Sequence, residues 1–392
     1  MKKVLSIVLI FVVILAALLG ASALKERLRP AAEEAAEAET PKEQKTITNA
    51  MDVSDATIIR LADGDTAISG LGASVQDGQV TIAYPGTYWI EGSLASGQIV
   101  VDLGDFDGAA YLVLNGVSVA CEDGPALYVR QADLAAVYLM EGSENTLRDG
   151  ADYMIQEIQE KKTGAGIYSA DDLLIYGDGA LTVTGASADG IRSKDSLIIA
   201  GGAITVYAAD DGLQASDLVD IYGGTVTIGA YGDGISTTEG AVTLYGGAVT
   251  IASAGDGIDA MGDVTVWDGS LSVTAYGGAE NYGTVALADI SAKGVKGQNV
   301  YIAGGTLSLN TADDGIHGRQ DVTITGGTFS IAAGDDAVSA AGTLEARDVR
   351  IDIAESYEGL EGDTVRLSGV ELTAAAQNNG VDAGEGGFLA YG

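Results

Sequence analysis

The chain has one cysteine, one histidine and four prolines in 392 residues, and only 20 Lys and Arg against 56 Asp and Glu, a formal charge of −36. The single Cys121 excludes an intrachain disulfide and a Cys-rich zinc site. Its neighbours are apolar, so it reads as buried packing. With one histidine, transition metals lack their preferred ligands. The shortage of positive charge excludes nucleic acid and anionic lipid headgroups as partners. What the chain does have is glycine, 56 residues, and a hydrophobic content of 47%. That content supports a long core, and a body rich in Val, Ile and Tyr is not disordered.

Residues 1–23 read as an export signal. Lys2 and Lys3 precede the apolar run Val4–Leu19, and Ala21-Ser22-Ala23 fits a small-x-small cleavage site. The alternative is an uncleaved N-terminal anchor, since such a run is about long enough to span a bilayer. Residues 24–50 are rich in Ala, Glu and Lys and read as a polar spacer. The expected location is therefore secreted or cell-surface, with membrane contact only through an uncleaved anchor.

Residues 51–392 read as one domain, because a single motif recurs through most of it. An acidic residue, glycine and an aliphatic recur as Asp189-Gly190-Ile191, Asp211-Gly212-Leu213, Asp233-Gly234-Ile235, Asp256-Gly257-Ile258, Asp314-Gly315-Ile316, Asp336-Ala337-Val338 and Glu358-Gly359-Leu360. The usual interval is about 22 residues. Each repeat holds three short alternating patterns. In residues 217–238, Val219, Ile221, Val226, Ile228 and Ile235 fall on one side. Glycines at the corners permit tight turns. Three strands per turn without helical periodicity predict an all-β, right-handed parallel β-helix (a solenoid) of ten or more rungs. Residues 51–150 are less regular and read as a cap and first rungs. Insertions at about Asn145–Thr163 and Gly277–Ser291 fall in the turn before the motif, which places both beside the acidic column.

Stacked rungs bring equivalent positions about 4.8 Å apart. Asp189, Asp211, Asp233 and Asp256 then form one column, and Asp313, Asp314, Asp335, Asp336 and Glu358 another. Bare carboxylates at that spacing repel. A calcium ion with Ca–O distances of about 2.4 Å fits between two of them. The doubled Asp210-Asp211, Asp313-Asp314 and Asp335-Asp336 add oxygens. The expected ion is Ca2+, with Asp189, Asp210, Asp211, Asp233, Asp256, Asp313, Asp314, Asp335 and Asp336 as candidate ligands. The competing role for these residues is turn formation by capping backbone amides, and the two are compatible.

The residue after each aliphatic points outward. That column reads Arg192, Gln214, Ser236, Asp259, Lys296, His317, Ser339, Glu361, Asp382. Beyond residue 50 there are only 13 Lys and Arg, and Arg192, Lys194, Lys293, Lys296 and Arg319 lie in this strand or its flanking turns. They are placed either to grip a uronate carboxylate or to neutralise the acids. A second outward column carries Tyr222, Tyr245 and Trp267, an aromatic platform for sugar rings or a cross-strand ladder that stabilises the sheet. The candidate carbohydrate contacts are Arg192, Lys194, Lys293, Lys296, His317, Tyr222, Tyr245 and Trp267.

Several stretches together resemble the secreted carbohydrate-binding parallel β-helix family of cellulolytic anaerobic bacteria, related in fold to pectate lyases. They are Ile99-Val100-Val101-Asp102, Leu114-Asn115-Gly116-Val117-Ser118, Gly124-Pro125-Ala126-Leu127, Asp189-Gly190-Ile191-Arg192-Ser193-Lys194-Asp195, and Ala292-Lys293-Gly294-Val295-Lys296 leading to Asp313-Asp314-Gly315-Ile316-His317. The resemblance implies calcium binding and non-catalytic affinity for cellulose or polygalacturonate. The expected function is a secreted, calcium-dependent, monomeric binder of acidic or neutral plant cell-wall polysaccharide. The alternatives are a calcium-dependent pectate lyase, with Lys293 as the base that abstracts a proton, and a structural surface rod or adhesin.

Overall fold

The computed structural model describes residues 51, 53–151, 164–283 and 290–391. Residues 1–50, read above as export signal and spacer, and most of the first insertion lie outside them.

One rung shows how the chain coils. Ile235–Thr237 carries the motif aliphatic, Ala241–Leu244 forms the middle strand, and Ala248–Ser253 forms the long strand. Each pairs in parallel with its equivalent in the next rung: Ile258–Ala260, Val264–Val266 and Ser270–Ala275. About 13 such turns stack into the expected parallel β-helix. Val219, Ile221, Val226, Ile228 and Ile235 are all fully buried in one continuous core. The alternation in the sequence thus corresponds to inside and outside. Cys121 is buried, and burial pushes its thiol pKa up.

The cap is shorter than the irregular sequence of residues 51–150 implies. Among the described residues antiparallel pairing is confined to Thr57–Leu61 with Ala67–Ser69 and Ala73–Gln76 with Gln79–Ile82. Gln79–Ile82 already pairs in parallel with Gln98–Asp102, and the rungs run on from there.

The recurrent glycines do two different jobs. In the Gly-Gly turns that precede five of the long strands the second glycine (Gly202, Gly224, Gly247, Gly305, Gly327) has a left-handed backbone, as at Gly224 with φ +86. Only glycine adopts that region without cost. The motif glycine is not a turn residue. A Cβ at Gly212 would overlap Cγ2 of Ile228 and lie 2.6 Å from the carbonyl oxygen of Gly234. The position is closed by the core on one side and by the next rung's backbone on the other. Where the motif carries Ala337 instead, the neighbouring long-strand pairings shift register, between Ile331 and Ala332 and between Ile353 and Ser356.

Candidate metal and carbohydrate site

The outward column after the aliphatic stacks in register from Arg192 to Asp382. The acidic column runs beside it, and its first function is structural. The amide of each ladder residue donates to the carboxylate one rung earlier: Asp211 to Asp189 at 3.3 Å, Asp233 to Asp211 at 2.8 Å, Asp256 to Asp233 at 2.7 Å, Lys293 to Asp256 at 2.7 Å. The ladder resumes with Asp336 to Asp314 and Glu358 to Asp336, both at 3.2 Å. One carboxylate oxygen per rung is thereby tied to a turn amide.

The second oxygen is served by the residue three positions on. Arg192 Nη1 reaches Asp189 Oδ2 at 2.9 Å, Gln214 Nε2 reaches Asp211 Oδ2 at 3.0 Å, and His317 Nδ1 lies 2.9 Å from Asp314 Oδ2. Ser236 adds a 2.6 Å bond to Asp211. In two rungs that third position is itself acidic, Asp259 after Asp256 and Glu361 after Glu358. There the pattern demands a cation.

At Asp256 and Asp259 the cation is a lysine. Lys296 Nζ lies 2.9 Å from Asp256 and 2.8 Å from Asp259, and the Arg319 guanidinium also binds Asp259. Lys293 does the same one rung on, 2.8 Å from Asp313 and 2.7 Å from Asp314. Burial works against both ammonium groups, yet the carboxylates around them raise both pKa values. At Asp314 burial opposes ionisation, but His317 and Lys293 hold its pKa below the ordinary value. Arg192, Lys293, Lys296 and His317 therefore meet ladder acids. Of the two roles open to them in the sequence, the geometry favours neutralisation. It also bears on the alternative part of Lys293 as the base of a lyase: an ammonium clamped by two carboxylates is a poor proton acceptor. Lys194 packs its amide against the Ser169 carbonyl.

Three carboxylate groups bring ligand oxygens within 4.8 Å of one another: Asp233/Asp256/Asp259, Asp313/Asp314/Asp335 and Asp336/Glu358/Glu361. The first two contain the ion pairs of Lys296 and Lys293. Among the described residues no ion pair involves Asp336, Glu358 or Glu361. Glu358 is 6% exposed; its Oε1 accepts from Asn378 at 2.7 Å, but its Oε2 is buried without a partner. Burial, the hydrogen bond with Glu361 and the surrounding negative charge push the Asp336 pKa up, and burial also raises that of Glu358. A carboxylate with one orphaned buried oxygen, grouped with two further carboxylates, is a donor set suited to a hard cation. Glu361 and Glu358 were not among the candidate ligands from the sequence. The signal for them was the acid three residues after the motif acid, which only two of the seven full motifs share.

Burial raises Asp189 and Asp233 to about 7, with Arg192 opposing the shift at Asp189 and Asp256 adding to it at Asp233. The folded chain thus keeps protons here that the unfolded chain releases near the ordinary carboxylate range, about 4. Where the folded state binds more protons, stability falls as pH rises. Melts in a chelator should therefore show the melting temperature dropping from pH 5 to pH 8. Asp233→Asn should flatten part of that slope; an unchanged slope would contradict it.

The aromatic column is only partly continuous. Tyr222 and Tyr245 stack with centroids 4.3 Å apart and planes at 6°. Trp267 turns away, to an edge contact with Tyr301 at 5.6 Å and 71°. All three are half-buried. The pair is a cross-strand ladder, the second of the two readings open in the sequence, and Trp267 does not extend it into a three-ring platform. The described ends of the second insertion lie beside the acid-bearing turns: Ser291 Oγ donates to Asp256 at 2.7 Å, and Tyr282 packs against Gly334; residues 284–289 lie outside the described residues.

A family model described as carbohydrate-binding domain-containing protein matches residues 76–337. A carbohydrate-binding domain-containing protein of Acetivibrio thermocellus is 39% identical over 138 residues, 35% of this chain and 48% of the relative. The match thus spans about half the length of that relative. A solved structure, a polysaccharide lyase-like protein from C. thermocellum in a gadolinium derivative, is 33% identical with a TM-score of 0.54, covering 57% of this chain and 92% of its own. Glu358 and Glu361 lie beyond the residues that the family model matches. With two thirds of its length matched and a parallel β-helix as its body, the chain belongs to the carbohydrate-binding domain-containing protein family.

Proposed function

We propose that the chain is an exported, non-catalytic, calcium-loaded binder of plant cell-wall polysaccharide, polygalacturonate or cellulose. The observation that carries the calcium is the partnerless buried Oε2 of Glu358, set against Asp336 and Glu361. These residues would hold the ion. Bound there, calcium supplies the positive charge that Lys296 and Lys293 supply at the other two acid groups, and it offers a site for a uronate carboxylate. The non-catalytic reading rests on the bases. Arg192, Lys293, Lys296 and Arg319 are all engaged with acids of this site, which leaves none of these four as an unprotonated base beside them.

An ion that binds only the folded state stabilises it by about 2.7 kcal/mol at a hundred times its dissociation constant. Calcium should therefore raise the melting temperature in a concentration-dependent way. Glu358→Gln should remove most of that rise while leaving the chelated protein as stable as wild type or more so, because it deletes an uncompensated charge. Equal calcium shifts in wild type and Glu358→Gln would rule out this site. Glycan pull-down with calcium and with chelator, alongside an assay for unsaturated uronide, tests the rest. Product formation would replace the binding reading with a lyase.

A further inference from the structure

The most regular surface of the β-helix is the sheet of long strands, which ends at the acid-bearing turns. Seven successive long strands, Ala180–Gly185, Ala203–Ala208, Thr225–Ala230, Ala248–Ser253, Ser270–Ala275, Thr306–Thr311 and Thr328–Ala333, pair without a break in register until the last rung. None of them contains a charged residue, in a chain with 19% charged residues and a formal charge of −36. The bounding strands are charged on both sides, by Glu144 and Arg148 before and by Arg350 and Asp352 after.

The outward positions of this face are uniform. From Thr182 through Thr227 and Ser272 to Ser330, every rung presents a hydroxyl in the same column, with rungs about 4.8 Å apart. The neighbouring outward column holds only Ala, Thr and Ser. A third column contains one large ring, Tyr207, which is 55% exposed. It leans over Gly229 in the next rung: a Cβ there would lie 3.4 Å from Cδ1 and 3.8 Å from Cε1 of the ring. Ala252 and Thr274 continue the floor beyond it.

Threonine suits exposed strands in general, but that preference does not remove Lys, Glu and Asp from seven strands in succession. A charge-free face on a polyanion has nothing with which to attract an anionic partner. It also avoids burying charge against a neutral one. Rows of hydroxyls pair with sugar hydroxyls, and an open tyrosine ring packs on the apolar face of a pyranose while its hydroxyl stays wet. A flat array that repeats every rung matches a partner that is itself flat and periodic. We propose that this face, centred on Tyr207 and Thr227, is the landing surface for a neutral polysaccharide whose chains lie side by side in an ordered sheet. The inference rests on the reading of the chain as a polysaccharide binder and assigns the neutral glycan to a face separate from the acids.

The test uses the full chain, depleted from solution by microcrystalline cellulose and, in parallel, bound to polygalacturonate. Thr227→Glu with Thr250→Glu should weaken cellulose binding by about tenfold or more, a loss of at least ~1.4 kcal/mol, because charge would be buried against a neutral partner. Polygalacturonate binding should not change. Tyr207→Ala, at an exposed position that leaves the core intact, should also weaken cellulose binding and carries the test if the double variant melts early. Folded face variants that keep wild-type cellulose binding would overturn the assignment and leave the binding reading standing. Wild type that binds neither glycan would overturn both. A wild-type dimer that becomes a monomer in the double variant would give the face to a second copy of the chain and overturn the assignment.

Discussion

Replacing Lys296 with methionine is expected to destabilise the chain by about 3–5 kcal/mol, the range found when one partner of a buried ion pair is removed. Methionine keeps most of the length and apolar stem of lysine, so the packing loss is small. What disappears is the ammonium 2.9 Å from Asp256 and 2.8 Å from Asp259. Arg319 still serves Asp259, but Asp256, with its side chain 1% exposed, keeps only neutral donors: Ser291 Oγ and the Lys293 amide. Removing the charge from an exposed pair such as Arg60 and Glu91, 2.9 Å apart at the surface, should by contrast cost less than about 1 kcal/mol. Two measurements separate charge from shape. Lys296→Met combined with Asp256→Asn should recover most of the loss, because the charge left bare is then gone. Calcium should stabilise Lys296→Met more than wild type, since the ammonium then no longer stands among Asp233, Asp256 and Asp259. A Lys296→Met variant with wild-type stability would mean that the lysine does not neutralise this rung.

How much of this was legible beforehand follows from what a sequence can carry. A solenoid turns sequence interval into spatial neighbourhood, so the period gave the β-helix, and both outward columns fell where the spacing put them. Val219, Ile221, Val226, Ile228 and Ile235 pointed inward because alternation is a property of a single strand. Side-chain reach was not legible. Nothing in the spacing says that Lys296 bends back to the preceding rung's Asp256, or that Lys293 extends forward to Asp313 and Asp314. Those choices depend on which carboxylate lacks a donor, and that depends on the third residue after each motif acid. Trp267 failed as a platform member for a similar reason. A column fixes the Cα position of an aromatic, but its rotamer is decided by the ring with which it can pack, here Tyr301. The uncharged face was visible strand by strand, yet it means something only once seven strands are known to share one surface. The carbohydrate-binding family was readable from short stretches in residues 99–317, whereas the Glu358 and Glu361 group emerges only in the folded chain.

Alanine placed at three neighbouring glycines should separate the two jobs that glycine does in this coil. At Gly212 the new methyl group meets Ile228 and the Gly234 carbonyl, neither of which can yield without moving a core side chain or a rung. Overpacking of this kind costs about 1–3 kcal/mol, sometimes more. At Gly224, where φ is +86, the obstacle is the backbone itself. A left-handed alanine costs about 1–2 kcal/mol, and close contacts with the Gly201 and Gly202 backbone, at 2.5 Å and beyond, add to it. At Gly223 the only neighbour is the Ala200 carbonyl oxygen at 3.9 Å, and the backbone is not left-handed. Alanine there should be neutral or stabilise by about 0.4–1 kcal/mol, by narrowing the unfolded ensemble. Because rungs interact mainly with their neighbours, the damage at Gly212 should stay local. Hydrogen exchange should show faster opening of the rungs from about Asp189 to Ile258, with distant rungs unchanged. If Gly212→Ala matched Gly223→Ala in urea and in exchange, the motif glycine would not be set by close approach. The recurrence of acidic residue, glycine and aliphatic would then need another cause. If the order holds, the repeat has a single physical origin. The acid ties one rung's turn to the next, the glycine lets the two backbones approach, and the aliphatic fills the core beneath them.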